Sequence, residues 1–153
     1  MLVAAAQYCA SNDVLENQDT IARLTSQASS QNASLVCFPE CANLIAKNKM
    51  ELRERAEPAD NSKTIKKIKT LAQKYNIIIS VGSLLLREAH SEKILNRGFL
   101  VDTDGKCLAI YDKIHMFDVV LPNGEAFKES ESYRPGERAV IATSPWGSIG
   151  LTV

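Results

Sequence analysis

Ser34-Leu35-Val36-Cys37-Phe38-Pro39-Glu40 is the stretch that decides the fold. After Ser34, Leu35 to Phe38 are an apolar run of strand length with no polar alternation, the pattern of a strand buried on both faces. Pro39 ends the run, and Glu40 is delivered at the strand's carboxyl end, where α/β folds build their sites.

Working outward, Leu2 to Gln7 is another apolar run of strand length. Asn12 or Asp13 then offers an N-cap for a helix whose stripe is Val14, Ile21, Leu24 and Ala28. The opening is thus predicted to be a strand-helix-strand crossover. Asp60-Asn61-Ser62 caps a second helix with Ile65, Ile68, Ala72 and Tyr75 on one face, and Ile77 to Val81 follows as a further buried strand. Phe99-Leu100-Val101 and Cys107 to Ile110, joined by Asp102-Thr103-Asp104-Gly105, predict an antiparallel hairpin, so the sheet is expected to be mixed. Leu121 to Gly136, rich in Pro, Gly, Glu and Ser, is expected to be a long surface loop of functional character. Val140-Ile141, Trp146-Gly147 and Ile149 to Val153 suggest a closing pair of strands, and Gly150-Leu151-Thr152-Val153 reads as a short buried one. There is no internal repeat or second-domain linker, so residues 1–153 are expected to be one α/β domain.

Composition removes several function classes. The chain has 153 residues, 45% of them hydrophobic, with 18 basic against 18 acidic side chains. That balance, without a dense Lys/Arg block, lacks the footprint of a phosphate-backbone binder, so nucleic acid is not an expected partner. Lys63, Lys66, Lys67 and Lys69 are expected on the solvated face of a helix. No basic segment precedes the apolar start and no stretch has membrane-spanning length, which predicts a soluble cytoplasmic protein with no membrane partner. Cys9, Cys37, Cys41 and Cys107 lack the dense spacing of a disulfide scaffold and are expected as free thiols. Cys37 and Cys41 bracket Glu40, but no second Cys/His pair stands at zinc-site spacing and His90 and His115 are isolated, so no metal and no cofactor is expected.

Three side chains stand out. Glu40, held behind Pro39 at a strand end, suits general-base work, although a solvated strand-end acid has the same local pattern. Lys113, after Tyr111-Asp112 at the end of the hairpin's second strand, could lie beside a developing oxyanion; it could equally be a surface cation paired with Asp112 or Asp118. Glu129 lies in Phe127-Lys128-Glu129-Ser130, between Glu125 and Glu131, and the residues alone do not choose among the three acids. His115, between two apolar residues, is expected to be packed behind the site.

Taken in order, Phe38-Pro39-Glu40, then Asp112-Lys113-Ile114-His115-Met116-Phe117-Asp118, then Phe127-Lys128-Glu129-Ser130 and the terminal Gly150-Leu151-Thr152-Val153 resemble the nitrilase superfamily of carbon-nitrogen hydrolases. Around Lys113 and from Leu121 to Ser130 the chain looks most like the omega-amidase and deaminated glutathione amidase branch. The resemblance implies a four-layer alpha-beta-beta-alpha sandwich with mixed sheets, of which this chain is the amino-terminal part. It implies Glu40 as base, Lys113 as oxyanion stabiliser and Glu129 as the second acid, acting on a small amide through a cysteine thioester, in a protein that commonly forms homo-oligomers. The family's nucleophilic Cys follows the strand matched by Gly150 to Val153, and no position follows Val153. A truncated domain, inactive alone and with uncovered strand edges, is therefore the expectation. The alternatives are a non-catalytic half-domain that binds a partner subunit and one half of a split enzyme.

Overall fold

The computed structural model describes residues 1–153. The chain opens with strand β1 (Val3–Ala5), helix α1 (Val14–Ser30), strand β2 (Leu35–Phe38), helix α2 (Lys49–Arg55), the short strand β3 (Glu57–Pro58) and helix α3 (Lys63–Tyr75). It continues through β4 (Ile78–Arg87), β5 (Ile94–Val101), β6 (Cys107–Asp112), β7 (Asp118–Val120), β8 (Ala126–Lys128), β9 (Tyr133–Arg134), β10 (Val140–Ser144) and β11 (Gly147–Leu151).

The main sheet runs β1-β2-β4-β5-β6, with β3 added on β4 and β9 on β5. β1, β2 and β4 are parallel, whereas β4, β5 and β6 form an antiparallel meander, which gives the mixed sheet. Alternation along the strands sorts the core into two faces. Val36, Phe38, Ile79, Val81, Phe99 and Val101 point to α1 and α3 and pack with Ile21, Ala28, Ile68 and Ala72. Leu35, Ile78, Leu100, Ala109 and Tyr111 point the other way and are covered by Ala142 and Leu151 of the β10–β11 hairpin.

The helices begin where capping groups stop their free amides. Asp13 accepts from the Leu15 and Glu16 N–H groups at the start of α1. Ser62 accepts from Ile65 N–H, and the Glu57 carboxylate takes the Lys63 and Thr64 N–H groups at the start of α3. Asn76, at φ 48°, ends α3 in the left-handed region that asparagine tolerates better than most side chains.

Four features differ from the sequence expectations. α2, capped by Asn48, is too short to announce itself by periodicity. The meander's strands are longer than their apolar cores, because pairing continues β4 to Arg87 and starts β5 at Ile94. Leu121 to Gly136 is only partly loop: β8 returns to pair with β7, a 3₁₀ turn covers Glu129–Glu131, and β9 joins the main sheet. The closing strand is mostly exposed, with Leu151 as its buried residue, because the hairpin covers the sheet with one face only. No helix is long and apolar enough to cross a membrane.

Candidate active site

The turn after β2 is fixed before any functional side chain is considered. Ser83, fully buried in β4, donates its N–H to the Pro39 carbonyl and accepts from Cys41 N–H through its hydroxyl and from Ala42 N–H through its carbonyl. Tyr8 Oη donates to the Ala42 carbonyl at 2.6 Å. The clamp depends on a local departure from regular pairing: the β4–β5 register shifts between Val81 and Leu84, which turns Ser83 toward the turn. It also depends on Gly82, where a Cβ would come within 2.7 Å of the Pro39 carbonyl carbon. Held this way, Cys41 adopts φ 55°, an uncommon left-handed geometry for a side-chain-bearing residue, immediately after Glu40.

Lys113 enters from the end of β6 with its backbone tied on both sides. Its N–H donates to the Asn96 carbonyl at 2.9 Å and its carbonyl accepts from Gly136 N–H at 2.8 Å. The side chain is only 10% exposed, and Nζ lies 3.0 Å from Glu40 Oε1 and 2.9 Å from Glu129 Oε2. Glu129 Oε2 also accepts from Phe117 N–H at 2.7 Å, which anchors that carboxylate to the segment after Lys113. Glu40 keeps 43% of its side-chain exposure, so hydrogen bonding rather than deep burial holds it. Its Oε1 accepts from Lys113 Nζ and from Asn96 Nδ2, the latter at 2.7 Å.

Burial pulls the Lys113 ammonium down, but the hydrogen bonds and charges of Glu129 and Glu40 outweigh it and hold the group above the ordinary lysine value. A fixed cation between two carboxylates is the result. Burial, reinforced by the Glu40 charge, pushes the Cys41 thiol up to about 12, with Lys113 opposing. The thiol nearest the cluster is therefore protonated at neutral pH and a poor nucleophile. Burial and the neighbouring Cys41, Glu129 and Glu40 likewise raise the Tyr133 phenol.

The structure brings Glu40, Lys113 and Glu129 together and resolves the choices the residues left open. Asp112 is held by Arg97 in a two-point pair at 2.6 and 2.8 Å, and Asp118 accepts from Ser130, so neither pairs with Lys113. Glu131 pairs with Lys49, Glu125 is exposed, and Glu129 is the acid that meets the lysine. His115 is exposed rather than packed behind the site, because the chain leaves the sheet immediately after Lys113. Cys9 is exposed and Cys37, Cys41 and Cys107 are half-buried, all four unpaired. Sequence reasoning missed Asn96 and Ser83. Each is a buried polar residue within an apolar strand, and that mismatch was the available signal.

A mixed α/β sheet with a glutamate at the end of β2, a buried lysine at the end of β6 and a second glutamate on that lysine defines a class, and the carbon-nitrogen hydrolase family model matches residues 2–153. The chain belongs to the carbon-nitrogen hydrolase family. It is 33% identical to the deaminated glutathione amidase of Yersinia enterocolitica over 99% of this chain and 53% of that protein. It is 31% identical to the omega-amidase NIT3 of Saccharomyces cerevisiae over 80% of this chain and 43% of that protein. The crystal structure of the Caenorhabditis elegans NitFhit protein superposes with a TM-score of 0.87 at 29% identity, covering 98% of this chain and 37% of that one. The chain spans about half the length of the curated relatives it matches.

Proposed function

We propose that residues 1–153 carry the base, the cation and the second acid of an amidase that hydrolyses a small linear carboxamide to acid and ammonia. The observation that carries this reading is Lys113 Nζ held within 3.0 Å of both Glu40 and Glu129. Glu40 takes the proton of a cysteine thiol, and the thiolate adds to the amide carbonyl carbon. The oxyanion that forms lies against the Lys113 ammonium, a fixed charge that needs no reorganisation. Glu40 passes its proton to the nitrogen, the C–N bond breaks, ammonia leaves and a thioester remains. Glu40 then takes a proton from water, whose oxygen attacks the thioester. The returning thiol recovers that proton and the acid is released. Glu129 fixes Lys113 and orients substrate or water.

None of the four cysteines present serves as that thiol. Cys37 and Cys107 belong to strands of the sheet, Cys9 is exposed without a hydrogen-bonded base, and Cys41 is held protonated. The nucleophile in this reading lies outside residues 1–153, and these residues alone are inactive. The similarity to a deaminated glutathione amidase and an omega-amidase supports substrates with a terminal carboxamide at one end of an acid. A cytoplasmic location is supported by the four unpaired thiols, and assembly into homo-oligomers by the exposed Phe117, Val120 and Phe127 around the β7–β8 ribbon. A second reading, a non-catalytic module that binds another subunit, is favoured by the unpaired outer edge of β1 beside the exposed Leu2 and Val3.

The test is ammonia release from a panel of small omega-amides and deaminated glutathione. It compares the 153-residue chain with one continued through the downstream reading frame. Release by the continued chain only is expected. Release by residues 1–153 alone overturns the assignment of the nucleophile, and no release by either chain favours the binding module.

A further inference from the structure

Three asparagines are buried in this molecule, and two of them account for themselves. Asn43 bridges Leu85 through both ends of its amide, Nδ2 donating to the Leu85 carbonyl and Oδ1 accepting the Leu85 N–H. Asn17 does the same work at the start of α1: Nδ2 donates to the Ser11 and Asn43 carbonyls, and Oδ1 accepts Ser11 N–H. Asn96, 2% exposed in β5, is different. Its Nδ2 donates to Glu40 Oε1 at 2.7 Å, and its Oδ1 is the one buried side-chain oxygen or nitrogen in the molecule with no partner.

Leaving a buried acceptor unpaired costs roughly 1–3 kcal/mol. A residue kept for architecture alone would use both ends of its amide, as Asn17 and Asn43 do, or be apolar like its neighbours Ile94 and Leu95. The single side-chain hydrogen bond Asn96 makes is to the carboxylate read above as the base. Its main-chain carbonyl meanwhile accepts the Lys113 N–H, so one residue touches the supports of both reacting groups.

Resting on that functional reading, we propose that Asn96 is a positioning residue for Glu40, holding Oε1 so that Oε2 is presented as the proton-accepting atom. The amide suits this task. It is neutral and can only donate toward the carboxylate from Nδ2, so it fixes the carboxylate's rotation without adding charge to the Lys113 pair. Glu40 Oε1 is filled by Asn96 and Lys113, while Oε2 accepts from no protein group.

The test uses the continued, turnover-competent chain with Asn96→Leu, Asn96→Asp and the reference Glu40→Gln. Asn96→Leu fills the space without a donor. Its kcat/KM is expected to fall roughly tenfold to a hundredfold, mostly in kcat, as expected for a misplaced catalytic group. Its unfolding midpoint is unchanged or raised, because the orphaned oxygen is gone, and a purely architectural residue would show the opposite. Asn96→Asp is isosteric and donates only while protonated, so its activity is expected to be retained toward acid pH and lost as pH rises. Wild-type kcat/KM in Asn96→Leu overturns the proposal. So does a rate loss that merely follows lost folded protein while Asn96→Asp keeps the wild-type pH profile. Full turnover in Glu40→Gln is a distinct result and sinks the functional reading itself.

Discussion

Gly136 donates its N–H to the Lys113 carbonyl at 2.8 Å, and its Cα sits so close to Asp112 that a Cβ would come within 2.2 Å of the Asp112 carbonyl oxygen. The glycine is there for space, at the residue before the lysine. Asp112 cannot yield easily, since its carboxylate is tied to Arg97 at two points. Gly136→Ala is therefore expected to displace the Lys113 backbone and destabilise the chain by roughly 1–3 kcal/mol, the usual cost of overpacking a tight site. Urea unfolding measures the loss. An unchanged midpoint would show that the loop moves aside freely and does not hold Lys113.

Ser83 gives a second, independent test of how the site is held. Three of its groups hold the turn from Pro39 to Ala42, and Cys41 N–H has the Ser83 hydroxyl as its partner. Ser83→Ala leaves that amide unpaired next to Glu40, a loss of roughly 1–3 kcal/mol. Hydrogen exchange at the Cys41 and Ala42 amides is expected to speed up while that of α1 and α3 is retained. Equal acceleration everywhere would mean that the turn is not a separately stabilised unit.

Much of this was legible in the sequence because the relevant signals are local. Apolar runs without alternation located β1, β2 and β4; Asp13 and Ser62 marked helix starts; and Asp102 to Gly105 marked the hairpin turn, where Gly105 adopts φ 74°. Glu40, Lys113 and Glu129 stood out as candidates because each sits in a recognisable frame, and the three side chains meet in the structure. What was not legible depends on partners distant in sequence. The residues alone left Glu125, Glu129 and Glu131 open until the family frame singled out Glu129, and it is β8 pairing back on β7 that carries Glu129 to Lys113. The roles of Asn96 and Ser83 depend on residues 56 and 42 positions away. His115 was expected to be packed from its apolar neighbours, but Ile114 and Met116 carry that burial in part and leave the imidazole outside.

The thiols provide a test of the proposal that none of the four cysteines is the attacking sulfur. With Cys41 pushed up to about 12, its thiolate fraction at pH 7.5 is roughly one in 10⁴ or less. Alkylation followed by mass spectrometry is expected to label the exposed Cys9 first and Cys41 among the last under native conditions. Cys41→Ser is expected to leave amide turnover of the continued chain within about twofold, since the hydroxyl keeps nearly the same volume and the bond to Ser83 is made by the Cys41 main-chain N–H rather than by its thiol. Rapid labelling of Cys41 at neutral pH, with turnover lost in Cys41→Ser, would reinstate it as the attacking sulfur.

Lys113 links the site to stability through pH, and the sign is set by the direction of its shift. Its folded value is raised above the ordinary 10.5, so its ion pairs contribute fully below that value. The contribution is lost as pH rises through the folded value, when the ammonium gives up its proton. Thermal midpoints of the wild-type chain are therefore expected to carry no Lys113 contribution to any change between pH 6 and 9, and to fall more steeply above about pH 10.5 than those of Lys113→Met. At neutral pH the variant leaves Glu40 and Glu129 facing one another without a cation and is expected to be less stable. In the continued chain it is expected to lose amide turnover by at least about a hundredfold, the scale seen when a single oxyanion donor is removed. Parallel alkaline profiles for the two proteins would show that the ammonium contributes nothing to folding, and wild-type turnover in Lys113→Met would remove it from the chemistry.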